Sequence, residues 1–345
     1  MIHRPNVLVV EYLSGGGIAG LLPSDLVAEG AAMLAAVLED FRAWAHVKTV
    51  TFRDARLRNL ALPADRVIDV PPGMLLERFA ATVVQWAAVW VIAPETGGTL
   101  ARLTETAERA GVPVLGSTAA AVQQTGDKWA CALTLHTAGL PVLNGERISV
   151  SDLATNVDRW PYPIVVKPVD GVGCEGVCLL QGPADAAWYL SHAQTDTIIV
   201  QPYIRGIHAS VSVLSTGTHC IALSVNRQDI VPGRLFRYLG GAIPLHHPLA
   251  DRARDVACAA VRQFPGLRGY VGVDIVLTDT DAWIVEINPR VTTAYVGLRW
   301  ILRENLAAAV WSACLEHRLP DRVHLTGSVS FRKHGIRLTI HRSPR

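Results

Sequence analysis

The stretch GVDIVLTDTDAWIVEINPR, residues 272–290, contains two apolar runs joined by an acidic turn. The runs VDIVL and WIVEI are rich in β-branched side chains and TDTD is typical of a turn, so we predict a β-hairpin. Asp274 on the first strand and Glu286 on the second strand can then lie side by side. Because side chains alternate along a strand, Asn288 shares the face of Glu286. The hairpin therefore brings two carboxylates and one amide together.

This polar group is a candidate metal site. Two carboxylates and an amide oxygen among Val, Ile, Leu and Trp are costly to bury unless a cation joins them. Oxygen ligands suit Mg²⁺ or Mn²⁺ rather than zinc, and such an ion usually takes substrate phosphates as further ligands. Arg290, two residues beyond Asn288, would add a positive charge near the same phosphates. A hairpin with polar residues on a solvated face is the alternative.

Composition narrows the class of protein. The chain has 345 residues, enough for two or three domains, and half of them are hydrophobic, which indicates a globular protein. The net charge is only +2 with scattered Lys and Arg, so neither nucleic-acid nor membrane-surface binding is supported. The longest apolar region, residues 79–93, is too short to cross a bilayer. No signal peptide and no CxxC pair is found, so we expect a cytoplasmic protein with reduced cysteines.

The first ~115 residues predict a doubly wound, mostly parallel α/β domain. A strand over residues 6–12 stops at a run of glycines, and a helix with apolar spacing follows over residues 25–41. Further strands are expected over residues 46–51, 66–70, 88–92 and 112–115, with helices over 75–86 and 99–110. Glu11 and Glu95 lie at or just beyond strand ends, where open α/β sheets bind ligands. Each could hold a substrate amine or cap a loop.

From residue 117 the pattern changes. The sequence TGDK, residues 125–128, is expected to open a helix that runs to about residue 138. A strand over residues 164–166 then leads to Lys167 and the loop DGVGCEG, residues 170–176. This loop spells GxGxxG, but a strand follows it, so a dinucleotide fingerprint is not expected. The glycines indicate a hairpin tip whose N–H groups can cover phosphates, or else an ordinary turn.

The rest of the chain predicts a mixed or antiparallel sheet. Strands are expected over residues 198–203, 209–214 and 220–226, a helix over 251–264 before the hairpin, a helix over 305–316, and closing strands over 329–339. Gly240 and Gly241 are expected to form a turn. His246 and His247 would point to opposite faces of a strand, which argues against a metal pair. The arginines that could bind a substrate or simply lie on the surface are Arg205, Arg227 and Arg237.

The order of these motifs resembles that of the ATP-grasp ligases. The shared features are a lysine at a helix start, a second lysine at a strand end, a glycine-rich hairpin, the sequence QPYI and an acidic hairpin ending in NPR. The resemblance covers residues 117–299. It implies a doubly wound pre-ATP-grasp α/β domain, residues 1–116, followed by a two-subdomain ATP-grasp α+β fold. Subdomain A, with the lid hairpin, is expected over residues 117–196 and subdomain B, with the metal hairpin, over 197–345.

The resemblance also implies roles for single residues. Lys128 and Lys167 would contact the α- and β-phosphates of ATP, and Arg290 and Lys167 would neutralise charge on the transferred phosphoryl group. The lid would contain Gly171, Gly173 and Gly176; the adenine hinge Gln201, Pro202, Tyr203 and Ile204; and the Mg²⁺ or Mn²⁺ site Asp274, Glu286 and Asn288. The chain departs from the family at His208, where a glutamate for the ribose hydroxyls is common. A neutral histidine can still make one hydrogen bond there.

The activity that the resemblance implies is ATP- and Mg²⁺-dependent ligation of a carboxylate to an amine through an acyl phosphate. The segments VVEYLSGGG, IAPETGG and NPRVTTAYVGL resemble the branch that contains tyramine-glutamate ligase. That branch implies glutamate with tyramine or tyrosine, in methanofuran or methylofuran biosynthesis. The alternatives are an amino-acid or dipeptide ligase of another pathway, and a non-catalytic ATP-binding regulatory protein. Because such ligases are often dimers, a homodimer is an alternative to the monomer.

Overall fold

Four parallel strands form the first sheet of the computed structural model, which describes residues 4–171, 173–334 and 337–343. Some predicted features lie partly outside the described residues. They are the predicted lid, at Val172, and the predicted closing strands, at residues 335 and 336. The two chain ends, residues 1–3 and 344–345, which belong to the predicted first and last domains, also lie outside. The strands are β1 (Asn6–Glu11), β2 (Lys48–Asp54), β3 (Arg66–Val70) and β4 (Ala88–Ile92), in the spatial order β3-β2-β1-β4.

Helices cover both faces of this sheet. They are α1 (Ser24–Trp44), α2 (Leu75–Thr82) and α3 (Thr99–Arg109). Val7 and Val9 of β1 pack with α1, whereas Leu8 and Val10 pack with α2 and α3, because alternate side chains leave opposite faces of a strand. The doubly wound prediction is therefore confirmed. The strand expected over residues 112–115 is wrong: only an isolated bridge forms there, since Pro113 has no N–H group with which to extend the ladder.

Two helices lead into the second sheet, α4 (Ala119–Gly126) and α5 (Lys128–Thr137). The helix predicted to open at residues 125–128 forms as α5 and begins at Lys128, whereas Thr125 and Gly126 are the last residues of α4. Asp127 caps α5, since its carboxylate accepts hydrogen bonds from the N–H groups of Trp129 and Ala130. The cap places Lys128 at the first position of α5.

The second sheet is antiparallel and carries the glycine-rich loop. Its strands are β5 (Glu146–Ser149), β6 (Ile164–Pro168), β7 (Cys178–Leu180) and β8 (Thr197–Pro202), in the order β5-β8-β6-β7. Helices α6 (Val150–Thr155) and α7 (Pro183–Leu190) contribute to the small core of this sheet. β6 and β7 pair as a hairpin, which confirms the prediction that the glycines lie at a hairpin tip and not before a helix.

The third sheet has seven antiparallel strands. They are β9 (Ile207–Thr216), β10 (Cys220–Val231), β11 (Arg237–Ile243), β12 (Arg268–Leu277), β13 (Ala282–Asn288), β14 (Ser328–His334) and β15 (Arg337–Ser343), in the order β13-β12-β9-β10-β11-β14-β15. Helix α8 (Ala250–Arg262) packs on one face. Helices α9 (Thr293–Leu298) and α10 (Leu306–Leu315) share a continuous core with α1, so this sheet is joined to the first one.

Gly240 and Gly241 do not form the predicted turn, because both lie inside β11. A Cβ atom on Gly240 would be 2.1 Å from the carbonyl oxygen of Phe331, and one on Gly241 would be 2.3 Å from that of Arg227. The glycine pair thus allows β11 to approach both neighbouring strands closely. Among the described residues, none of the helices has the length and apolar character needed to cross a bilayer.

Candidate functional site

The acidic hairpin forms as predicted, from β12 and β13. Asp274 is the register partner of Glu286. The amide of Asn288 donates a hydrogen bond to Asp274 Oδ2 at 3.2 Å, and Gln228 Nε2 donates one to Asp274 Oδ1 at 2.9 Å. Glu286 Oε2 lies 2.6 Å from Lys128 Nζ in an ion pair. The three predicted ligands therefore lie together, and a lysine predicted to bind phosphate contacts one of them.

The two carboxylates have opposite pKa shifts. Burial, and then the charge of Glu286, raise the pKa of Asp274. Burial by itself also raises the pKa of Glu286, but the ammonium groups of Lys128 and Lys167 lower it overall. One member of this pair, Asp274, therefore resists ionisation, because the lysine charges act mainly on Glu286.

These residues fit a divalent cation. A carboxylate with a raised pKa, a second carboxylate beside it and an adjacent amide supply the oxygen donors that Mg²⁺ or Mn²⁺ prefers. Asn288 donates to Asp274 through its amide nitrogen, and rotation of the amide group would offer the oxygen instead. The part of the chain that the structure describes has no cluster of three or more His, Cys, Asp or Glu side chains that could hold a metal ion. A metal at this hairpin would therefore be held by two carboxylates, Asp274 and Glu286, with the amide of Asn288.

The two lysines differ in their surroundings. Lys128 Nζ donates a hydrogen bond to the carbonyl of Gly171 at 2.9 Å, which ties the lid loop to the acidic hairpin. Burial lowers the pKa of Lys128, but Glu286 raises it overall. Lys167 is 5% exposed, and burial lowers its pKa to about 8 against the opposing charge of Glu286. The ammonium group of Lys167 makes no hydrogen bond or ion pair with any described residue, so it is free to bind an anion.

A cavity of about 110 Å³ lies between the second and third sheets. Its walls include nine of the residues predicted to bind nucleotide: Lys128, Lys167, Gly171, Gly173, Gln201, Pro202, Tyr203, Ile204 and His208. Gly176 does not line it. Gly176 has a φ of +69°, and a Cβ atom there would lie 2.8 Å from Pro168 Cγ, so this glycine shapes the turn behind the cavity.

The segment predicted to bind adenine and the residue at the predicted ribose position both line this smaller cavity. Gln201 Nε2 donates a hydrogen bond to the carbonyl of Leu143 at 3.2 Å, and the N–H of Tyr203 donates one to the carbonyl of Pro163 at 3.0 Å. Burial lowers the pKa of His208, so its ring is neutral at pH 7. The ring of Phe236 meets it edge-on, with 6.2 Å between the centroids.

A second cavity, of about 520 Å³, lies between the first and third sheets. Asn288 and Arg290 line it, together with residues of β1, α1 and β10. The residues that line both cavities are Gly173, Cys174, Glu175, Gln228, Ile230, Asp274 and Glu286. The acidic hairpin and the tip of the glycine-rich loop therefore form a wall between the two cavities.

Arg290 is held by Glu95. Arg290 Nε lies 3.0 Å from Glu95 Oε1, and its Nε and Nη2 donate to Glu95 Oε2 at 3.2 and 3.1 Å. Nη1 donates to the carbonyl of Val291 at 3.1 Å. Burial lowers the pKa of Arg290, but Glu95 raises it overall, so the group stays charged. Each terminal nitrogen keeps one N–H without a partner among the described residues.

Glu11 caps a loop, which is the second of the two roles considered for it. Its Oε2 accepts hydrogen bonds from Ser14 N at 2.7 Å and Ser14 Oγ at 2.6 Å, and its Oε1 accepts one from Leu13 N at 3.1 Å. Burial raises its pKa against these hydrogen bonds. A Cβ atom on Gly30 would lie 2.5 Å from this carboxylate, so glycine is needed there.

Sequence reasoning did not single out Gln228 or Glu29 for this site. Gln228 follows Arg227 in the NRQ segment of β10, and its contact to Asp274 depends on the pairing of distant strands. Glu29 lies on α1 and contacts Thr293 and Lys333. For Glu29, helical spacing was the signal that could have found it, because Leu26, Gly30 and Met33 lie on the same face of α1 as Glu29.

The three arginines whose roles the sequence left open lie in different surroundings in the structure. Arg227 lines the larger cavity and pairs with Asp229 at 2.9 Å. Arg205 and Arg237 are exposed and line neither of these cavities. Arg227 is therefore the one of the three that lies near the site.

Two family models match the chain, a pre ATP-grasp 3 domain at residues 47–122 and an ATP-grasp domain at residues 125–294. The chain is 26% identical over 294 residues to a tyramine–L-glutamate ligase of Methanocaldococcus fervens, which covers 85% of this chain and 80% of the relative. It is 30% identical over 209 residues to that of Methanocaldococcus jannaschii, covering 61% of this chain and 57% of the relative. A carbamoyl phosphate synthase large chain of Micrococcus luteus is 24% identical, but the chain spans only 20% of it.

Solved structures show the same fold. An ATP-grasp superfamily protein from Archaeoglobus fulgidus has a TM-score of 0.72 at 22% identity and covers 99% of this chain and 100% of its own. An L-amino acid ligase from Bacillus licheniformis has a TM-score of 0.74 at 15% identity and covers 96% of this chain and 80% of its own. The chain therefore belongs to the ATP-grasp superfamily of ATP-dependent ligases, with a pre-ATP-grasp domain ahead of its ATP-grasp domain.

Proposed function

We propose that the protein is a carboxylate–amine ligase that uses ATP and Mg²⁺ to form an amide through an acyl phosphate. One observation carries this proposal: Asp274 and Glu286 line both cavities, the smaller with the lysines and hinge and the larger with Arg290. A phosphoryl group can thus pass from a nucleotide in one cavity to an acid in the other across a shared wall.

The chemistry follows from the charges on this wall. The substrate carboxylate would attack the γ-phosphorus of ATP, and the bond to the bridging oxygen would break to release ADP. Lys128 and Lys167 are suited to hold the phosphates, and Arg290 offers free N–H groups to the transferred one. Mg²⁺, held by Asp274, Glu286 and Asn288, would supply further neutralising charge, and Mn²⁺ could replace it. The lid loop would exclude water from the acyl phosphate.

Glutamate and tyramine, or tyrosine, are the first substrates to test, as in methanofuran or methylofuran biosynthesis. The relatives named tyramine–L-glutamate ligases support this pair. An amino-acid or dipeptide ligase is the second candidate, because the fold matches an L-amino acid ligase. We also propose the division into residues 1–116, 117–196 and 197–345. The need for ATP supports a cytoplasmic location, and a homodimer stays a prediction.

Release of ADP tests the proposal. The purified protein is incubated with ATP, Mg²⁺ and glutamate, with tyramine, tyrosine or other amines added singly. We expect ADP only when an acid and an amine are both present, and a hydroxamate when hydroxylamine replaces the amine. Chelation of the metal should stop both reactions. Binding of ATP without turnover for any acid and amine pair would instead favour the non-catalytic regulatory alternative.

A further inference from the structure

Five carboxylates line the larger cavity among the described residues, and four of them have another explanation. They are Glu11, Glu29, Glu175, Asp274 and Glu286. Glu11 caps the loop after β1, Asp274 and Glu286 form the candidate metal site, and Glu175 is exposed at the tip of the lid. Glu29 is the one carboxylate of the five that has no such role or position.

Glu29 is fixed in place from two sides. It accepts a hydrogen bond from Thr293 Oγ1 at the start of α9, and its Oε2 lies 3.2 Å from Lys333 Nζ on β14. Its side chain is 21% exposed, so the carboxylate is held at the cavity surface and not sealed away. Each oxygen has one protein partner among the described residues and can accept a further hydrogen bond. A fixed anion of this kind is suited to bind a cationic group.

Glu29 lines the same cavity as Arg290 and the acidic hairpin. Glu29 is one of the negative charges that raise the pKa of Arg290, after Glu95 and Glu286. After burial, Glu29 and Asp274 are the two leading charges that raise the pKa of Tyr238. Glu29 therefore acts electrostatically on Arg290, and both residues line the same cavity.

Apolar residues of α1 flank Glu29 on the side of the cavity. Leu26, Glu29, Gly30 and Met33 follow the i, i+3, i+4, i+7 spacing, so they form one stripe of α1, and all four line the cavity. Phe331 completes this wall. The cavity therefore presents a carboxylate with spare acceptor capacity beside an apolar stripe, which matches a primary amine on an apolar body.

We propose that Glu29 is the residue that receives the acceptor amine, an inference that rests on the proposed ligase function. Glu29 binds the ammonium group and takes one of its protons. The freed nitrogen lone pair forms the C–N bond to the acyl carbon, and the C–O bond breaks with its electron pair on the phosphate. The second nitrogen proton leaves with the phosphate, and Glu29 returns the first to solvent. The acceptor is a primary amine with an apolar body.

Hydroxylamine separates this role from the rest of the reaction. It is uncharged at pH 7, so it attacks an acyl phosphate without a group to bind and deprotonate it. For Glu29→Gln with ATP, glutamate and tyramine, we expect kcat/KM for tyramine to fall about 100-fold. Hydroxamate formation by the same variant should stay within about threefold of the unchanged protein, because no proton has to be removed from hydroxylamine first.

Lys333→Met is the matched control. It removes the ion pair with Glu29 but keeps the Glu29 carboxylate and its hydrogen bond from Thr293, so use of tyramine should stay within about fivefold of the unchanged protein, as for loss of a partly exposed pair. Equal losses in Glu29→Gln and Lys333→Met, or an equal loss of amide and hydroxamate in Glu29→Gln, would make Glu29 a structural contact and overturn the inference. No hydroxamate from the unchanged protein would instead overturn the ligase function itself. Thermal unfolding of each variant confirms that it is folded.

Discussion

Arg290 and Glu95 form a buried ion pair that connects the loop after β4 to the end of β13. The two residues are 195 positions apart in the chain. Glu95 engages Nε and one terminal nitrogen of the guanidinium group, which fixes its plane. The first domain thereby sets the orientation of an arginine that we propose to act on phosphate.

Removal of Glu95 should destabilise the protein and lower its turnover rate. Glu95→Ala leaves Arg290 buried and unpaired, so we expect a loss of about 3 kcal/mol in the free energy of unfolding, measured with urea. Turnover should fall more than ATP affinity, because Arg290 loses its orientation. Glu105→Ala is the control, since its pair with Arg109 is exposed and should contribute less than about 1 kcal/mol. Equal losses for the two variants would contradict the prediction.

Loss of a metal ligand should affect the reaction strongly. Glu286→Gln keeps the shape of the side chain but removes its charge, so amide formation should fall by more than ~100-fold. Asp279→Asn changes an exposed carboxylate in the turn of the same hairpin and should leave the rate unchanged. The measurement is ADP release with saturating substrates and Mg²⁺. Near-normal turnover of Glu286→Gln would remove it from the metal site.

Lys167 should make ATP binding depend on pH. With its pKa at about 8, the ammonium group is present below pH 8 and is lost above it. ATP affinity, measured by calorimetry, should therefore fall as the pH rises from about 7 to about 9, because binding must first return the proton. Lys167→Ala should bind ATP more weakly and lose this dependence, whereas the exposed Lys48→Ala should not. An unchanged affinity in Lys167→Ala would exclude Lys167 from the site.

His208 tests the one departure from the family pattern. A glutamate at this position can accept hydrogen bonds from the ribose hydroxyls, so His208→Glu should improve the preference for ATP over 2′-deoxy-ATP by about fivefold, the value of one hydrogen bond. Competition binding with the two nucleotides gives this ratio. A lower affinity of the variant for ATP would show that the histidine has a role of its own.

The close strand approach at β11 predicts a stability effect. A methyl group on Gly241 would meet the carbonyl of Arg227, so Gly241→Ala should cost about 2 kcal/mol or more in the free energy of unfolding. Gly20 has open space around its Cβ position and no positive φ, so Gly20→Ala should change this free energy by less than about 1 kcal/mol. A stable Gly241→Ala variant would mean that β11 can shift away from β10.

Local patterns predicted much of this structure. β3 and β4 begin and end at the predicted residues, and the hairpin predicted from the two apolar runs pairs Asp274 with Glu286. These features depend on neighbours in the chain, which the sequence displays directly. The order of the two lysines and the lid was also visible in the sequence, because it follows the chain, and this order carries the resemblance to the ATP-grasp ligases.

Contacts between distant segments were not predictable in the same way. Arg290 meets Glu95, and Glu29 meets Lys333, only because separate sheets pack together. Gly240 and Gly241 are typical of a turn, and the steric need for them appears only when β10 and β14 lie on either side. Helix α9 has six buried residues in a row, so its sequence has no polar face to reveal its period.

The tip of the glycine-rich loop faces both cavities, since Gly173, Cys174 and Glu175 line each of them. One moving segment would then open and close two chambers together. Under the proposed function, the nucleotide and the acid would both have to be in place before this loop closes, and ADP could not depart without also uncovering the acyl phosphate. We therefore expect ADP to stay bound until the amine has reacted. Movement of this one loop would then set the order in which the products leave.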